Sequence, residues 1–143
     1  MTLSQHLPKI VIALVLIGGV AVIGSKFSGS SDPDAMVDVA VPELSSTAKL
    51  GGQLFSDNCA QCHGANGAGG KGGPPLIHNI YNPGHHDDMS FQRAAKSGVP
   101  RHHWNFGNMP PQPQMTPGQV AEITFYIREV QMANGIFFQE HKM

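Results

Sequence analysis

Both cysteines of this 143-residue chain fall in one pentapeptide, Cys59-Ala60-Gln61-Cys62-His63. That placement constrains the fold more than any other feature. Two cysteines this close cannot build a disulfide scaffold, and 17 Gly with 11 Pro confine regular helix to a few segments. A small, loop-rich domain of this kind needs another staple. Charged residues make up 13% of the chain, half of the usual ~25%. Nine Lys/Arg against ten Asp/Glu give a net charge of −1, which excludes a nucleic-acid binder held by bulk positive charge.

Three chemistries use a Cys-x-x-Cys pair. A thioredoxin-type redox pair wants a βαβ context that this Gly/Pro-rich chain lacks, and half a zinc site wants a second ligand pair at matching spacing. A histidine directly after the second cysteine points to the third chemistry, covalent attachment of haem c. Two thiols one turn apart add to the two vinyl groups, and the adjacent imidazole becomes the proximal iron ligand. Cys59, Cys62 and His63 are thus the expected attachment and proximal residues for one haem c. The macrocycle also supplies the apolar core that a short domain with few aliphatics otherwise lacks.

Residues 10–24 read IVIALVLIGGVAVIG, without a charge, between Lys9 and Lys26. This length lies between a signal-peptide core and a spanning helix. Residues 1–25 are expected to form an uncleaved signal-anchor, the alternative being a removed signal peptide with a weak cleavage pattern before Ser25. In both cases the positive N-terminus stays in the cytoplasm and the rest is exported. Residues 26–45, with Asp32, Asp34, Asp38 and Glu43 among Ser, Gly and Pro, read as a flexible acidic tether. Residues 46–143 carry seven Lys/Arg against six Asp/Glu, a net of +1, and form the expected domain.

Within that domain Thr116-Pro117-Gly118-Gln119 is a helix start, a capping box with Pro in the first turn. Ile123, Ile127 and Val130 then mark one apolar stripe as far as Met132, before Asn134-Gly135 stops the pattern. A middle helix is expected from Met89 to about Ser97, capped by Asp88 and stopped by Gly98 and Pro100. Strand patterns are absent, so the fold class is all-α, three or four helices with long loops.

The sequence resembles the class I cytochrome c family over most of residues 46–135. Gly51 and Phe55, eight and four residues before Cys59, match the family's close-packing glycine and core aromatic. Gly73-Pro74-Pro75-Leu76 resembles its Gly-Pro-x-Leu turn, and Ile123-Thr124-Phe125-Tyr126 its C-terminal helix. The resemblance implies that the Pro74 carbonyl orients His63 and that Leu76 lines the haem pocket. It also implies a distal thioether from Met109 in Phe106-Gly107-Asn108-Met109-Pro110-Pro111, and propionate donors at Arg101 and Trp104.

Met115 and Met89 are weaker distal candidates, read as a loop and a packing methionine. His85, His86, His102 and His103 come in two pairs, with His78 nearby. They offer a bis-His iron or, in a second reading, a site for copper or zinc. A His63/Met109 iron has no open position, so no catalytic residue is expected. The family resemblance implies a one-electron carrier facing the periplasm from a bacterial inner membrane. Expected partners are a quinol-oxidising complex, a terminal oxidase or a periplasmic oxidoreductase. The alternative readings are a haem-containing subunit and a copper-responsive protein using the His-rich loops. Neither involves nucleic acid.

Overall fold

The computed structural model describes residues 36–140. Its helices are α1 (Ser46–Asn58), α2 (Ala60–His63), α3 (Asp88–Ser97) and α4 (Pro117–Ala133), with 3-10 turns at Ala65–Gly67 and Asn79–Tyr81. Among the described residues the only β pairing is an isolated antiparallel bridge between Val99 and Met109, in keeping with an all-α chain. No helix among them is long and apolar enough to cross a membrane. The anchor expected at residues 1–25 lies outside them.

Helix α1 starts where the Ser45 hydroxyl accepts from the Ala48 N–H at 3.2 Å. It buries Ala48, Gly51 and Phe55 on one face, the i, i+3 and i+7 pattern of an inward stripe. Helix α4 opens on the expected capping box, with Thr116 and Gln119 bonded reciprocally and Pro117 in the first turn. Its buried face holds Ile123, Ile127 and Val130 as the periodicity predicts. It also holds Thr124 and Gln131, polar residues that the apolar stripe passes over. Helix α3 begins one residue earlier than expected. Asp87, not Asp88, is its N-cap, because the Asp87 carboxylate accepts from the Ser90 N–H at 2.8 Å.

Helices α1 and α4 cross at Gly51. A Cβ at this position would stand 1.9 Å from the Glu122 carbonyl oxygen, so only glycine permits this backbone-to-backbone approach. One turn later Phe55 meets Tyr126, ring centroids 5.7 Å apart. Phe125 faces outward, because the same helical register that points Tyr126 inward turns it away. The Glu129 carboxylate clamps the start of α1, accepting from the Ser45 N–H at 3.0 Å and from its hydroxyl.

Residues 36–45, assigned by composition to the tether, have no regular structure but lie against the helices. The Val37 N–H donates to the Ala68 carbonyl at 2.8 Å, and the Asn134 side chain bonds both backbone groups of Ala40. Val37, Val39 and Leu44 pack on the core.

The crossing yields a direct expectation. Gly51→Ala forces the helices apart and lowers stability by about 1–3 kcal/mol, the cost of overpacking a close contact. The check is a lower thermal midpoint of the holoprotein by circular dichroism; an unchanged midpoint would contradict the observed approach.

Candidate functional site

Helix α1 runs almost directly into the cysteine motif. The Cys59 N–H donates to the Phe55 carbonyl and the His63 N–H to the Cys59 carbonyl, at 2.8 and 3.0 Å. One turn therefore separates Cys59 from Cys62. Cys59 faces a cavity of about 620 Å³ that Phe55, His63, Pro74 and Leu76 also line. Met109, Val99, Met115 and Phe91 line it as well, so the walls are mainly apolar. Cys62 is exposed.

His63 is fixed by its ring. Its Nδ1 lies 2.9 Å from the Pro74 carbonyl oxygen, and because a carbonyl only accepts, Nδ1 carries the proton and Nε2 keeps its lone pair. Burial lowers its pKa, partly offset by this hydrogen bond, so the imidazole is neutral at neutral pH. A ligating histidine needs that protonation state and that kind of orientation. The Cys59 thiol is pushed up to about 11, first by burial and then by neighbouring Cys62. A redox dithiol works through a lowered thiol pKa, the opposite of this shift.

Met109 is held by backbone. Its N–H and carbonyl both bond Val99, at 3.0 Å each, which ties the Met109 loop to the end of α3. Gly98 between them has φ +73, and a Cβ there would stand 2.4 Å from the Met109 carbonyl oxygen. Of the other methionines, Met115 lines the cavity, whereas Met89 is exposed on α3.

Trp104 and Arg101 also line the cavity. The Trp104 Nε1 is buried with no hydrogen-bond partner, an unusual condition for an indole N–H. Burial pushes the nearby Tyr81 phenol up to about 12; the Trp104 indole opposes that shift but makes no hydrogen bond of acceptable geometry to it. Arg101 is exposed on the rim, its N–H bonded to the Asn108 side-chain oxygen at 2.9 Å. His85, His86, His102 and His103 also border the cavity. His78 takes another role: its Nδ1 accepts from the Ile80 N–H, capping the 3-10 turn, and its ring meets Trp104 edge-on at 5.2 Å.

The sequence reading missed Gln131 and Arg128. The Gln131 amide donates to the Leu76 and Tyr81 carbonyls at 2.9 and 3.1 Å. Arg128 donates to the Tyr81 and His86 carbonyls, pairs with Asp88 at 2.8 Å and covers the Phe91 ring at 5.1 Å. Together they hang the cavity's loops on α4. The one available signal was Gln131 standing four residues after Ile127, on the buried stripe.

An apolar cavity bordered by a thiol, a bare imidazole nitrogen and an orphaned indole N–H fits a haem on each count. The cytochrome c family model matches residues 48–131. The chain belongs to the cytochrome c family. It carries covalently bound haem c, and its single Cys-x-x-Cys-His makes it a mono-haem, class I form. It is similar to the cbb3-type cytochrome c oxidase subunit CcoP of Rubrivivax gelatinosus, 37% identical over 80 residues, 54% of this chain and 24% of the relative. It is also similar to the cbb3-type cytochrome c oxidase subunit FixP of Azorhizobium caulinodans, 58% identical over 36 residues, 24% of this chain and 12% of the relative. The matches thus span a quarter or less of these relatives. No solved structure matches.

Cys59→Ser is expected to leave haem attached through Cys62 alone, and the double variant Cys59→Ser/Cys62→Ser to lose covalent haem. Mass spectrometry of the denatured chain checks both; haem surviving denaturation in the double variant would refute this attachment.

Proposed function

We propose that this cytochrome is a one-electron carrier with Cys59 and Cys62 as the haem attachment sites and His63 and Met109 as the axial ligands. The observation that carries this reading is that His63 and Met109 line one cavity, each held by backbone of a different element. Haem c, when bound, supplies reversible one-electron exchange at its iron.

The chain's own residues do the rest. The Pro74 carbonyl keeps the His63 Nε2 bare and orients its ring. The Val99–Met109 bridge presents the thioether side chain without relying on a flexible loop. Leu76, Phe55 and the apolar walls exclude water, and Trp104 with Arg101 serves as donor for the anionic propionates, giving the orphaned indole N–H its partner. With His63 and Met109 as its ligands the iron would offer no substrate site, and no residue is assigned a catalytic role.

The similarity to oxidase subunits supports a terminal oxidase complex as the partner, the protein acting as an electron-transfer component. In this reading residues 1–25 anchor it in the bacterial inner membrane. Residues 26–45 tether the domain of residues 46–143 on the periplasmic side, the last part of the tether docked on the helices.

Two measurements test this. The oxidised protein should show the near-infrared band of a sulfur bound to ferric iron, and Met109→Ala should lose it and bind cyanide readily. A wild type without the band would move the ligand to a histidine or leave the iron open. For the anchor, the protein should stay in the membrane pellet after a high-salt wash with its N-terminus intact; a soluble product starting near Ser25 would overturn it.

A further inference from the structure

The described residues hold one group of three potential metal ligands apart from the cysteine motif: His85, His86 and His103. One nitrogen from each imidazole lies within 4.8 Å of the others. His85 Nε2 and His103 Nε2 are 3.1 Å apart. Two nitrogens bound to a tetrahedral ion at 2.0–2.1 Å stand about 3.3 Å apart, so this separation already suits shared coordination.

The third imidazole is oriented for the same task. His86 Nδ1 lies 2.7 Å from the Ile80 carbonyl oxygen, so Nδ1 carries the proton and Nε2 keeps its lone pair. A backbone carbonyl behind the ring is the usual support of a ligating histidine. The loop does not depend on an ion for its shape. Arg128, 13% exposed, holds the His86 carbonyl from α4 while paired with Asp88. His102 has the same kind of backbone support, its Nδ1 donating to the Pro100 carbonyl at 2.9 Å, but it is not among the three imidazoles whose nitrogens converge.

We propose that His85, His86 and His103 form a second metal site, distinct from the haem iron, that takes one zinc(II) or copper(II) ion at the mouth of the haem cavity. An all-imidazole donor set selects borderline ions over magnesium or calcium, which prefer oxygen. Three histidines leave a fourth position for water. The ion clips the loop that follows Tyr81 to the loop that runs through Trp104 toward Met109, closing the cavity's rim with a bond that packing alone does not supply. The site stands on the histidine geometry and does not require Met109 to be the iron ligand.

The test uses the full-length holoprotein, stripped with a chelator and titrated separately with zinc(II) and copper(II) in a calorimeter. One equivalent per haem is expected for at least one ion, copper(II) binding more tightly by the Irving–Williams order. The double variant His85→Gln/His103→Gln should weaken binding at least about tenfold while its haem spectrum matches the wild type. That match shows that the variant folds around its haem and that neither imidazole was on the iron. If the double variant does not load haem, His86→Gln alone is held to the same criterion. Binding below one equivalent for both ions overturns the site. So does equal binding by the variant, and so does a variant whose iron changes ligand, since the histidine then belongs to the haem.

Discussion

The backbone contact between α1 and α4 at Gly51 is the constraint from which the rest of the structure follows. A carbonyl oxygen that would stand 1.9 Å from a Cβ sets the distance between the helices. At that distance Phe55 reaches Tyr126 and the Tyr126 hydroxyl reaches the Asn66 side chain at 3.1 Å. Since α1 leads straight into the cysteine motif, the crossing also sets where Cys59 and His63 face. The haem site is in this sense built outward from one glycine.

From α4 the positioning continues through polar groups. Gln131 is 1% exposed, as deep as the apolar stripe beside it, and its amide captures two carbonyls of the loop between Leu76 and Tyr81. A buried polar side chain is tolerated only when its hydrogen bonds are made, and here those bonds give an irregular segment a single shape. Arg128 extends the same arrangement to the loop that bears His85 and His86. A loop-rich domain thereby achieves the rigidity that a redox site needs, with helix supplying the anchor points.

His63 and Met109, which both line the cavity, are held by different physics. A side chain to backbone bond, His63 to Pro74, selects a tautomer. A backbone bridge, Val99 to Met109, places a residue whose own side chain has no directional bond to hold it. Gly98 permits that bridge because its positive φ and the absence of a Cβ let the end of α3 meet the Met109 backbone. The orphaned Trp104 N–H belongs to a residue that lines the same cavity.

Much of this was legible in the sequence, because the features concerned are local. The spacing of Cys59, Cys62 and His63 reflects the reach of two thiols and an imidazole around one turn. Thr116 to Gln119 is a cap whose partners lie within one turn of each other. The Ile123, Ile127 and Val130 stripe follows from helical period. What tertiary structure alone decided is non-local. Which histidines converge, with His78 diverted to a turn and His102 left out, depends on loops brought together across eighteen residues. That Gln131 is core and that residues 36–45 lie against the helices depend on partners distant in sequence. A period or a spacing records which residues share a face; it does not record which carbonyl or imidazole the folded chain brings opposite them.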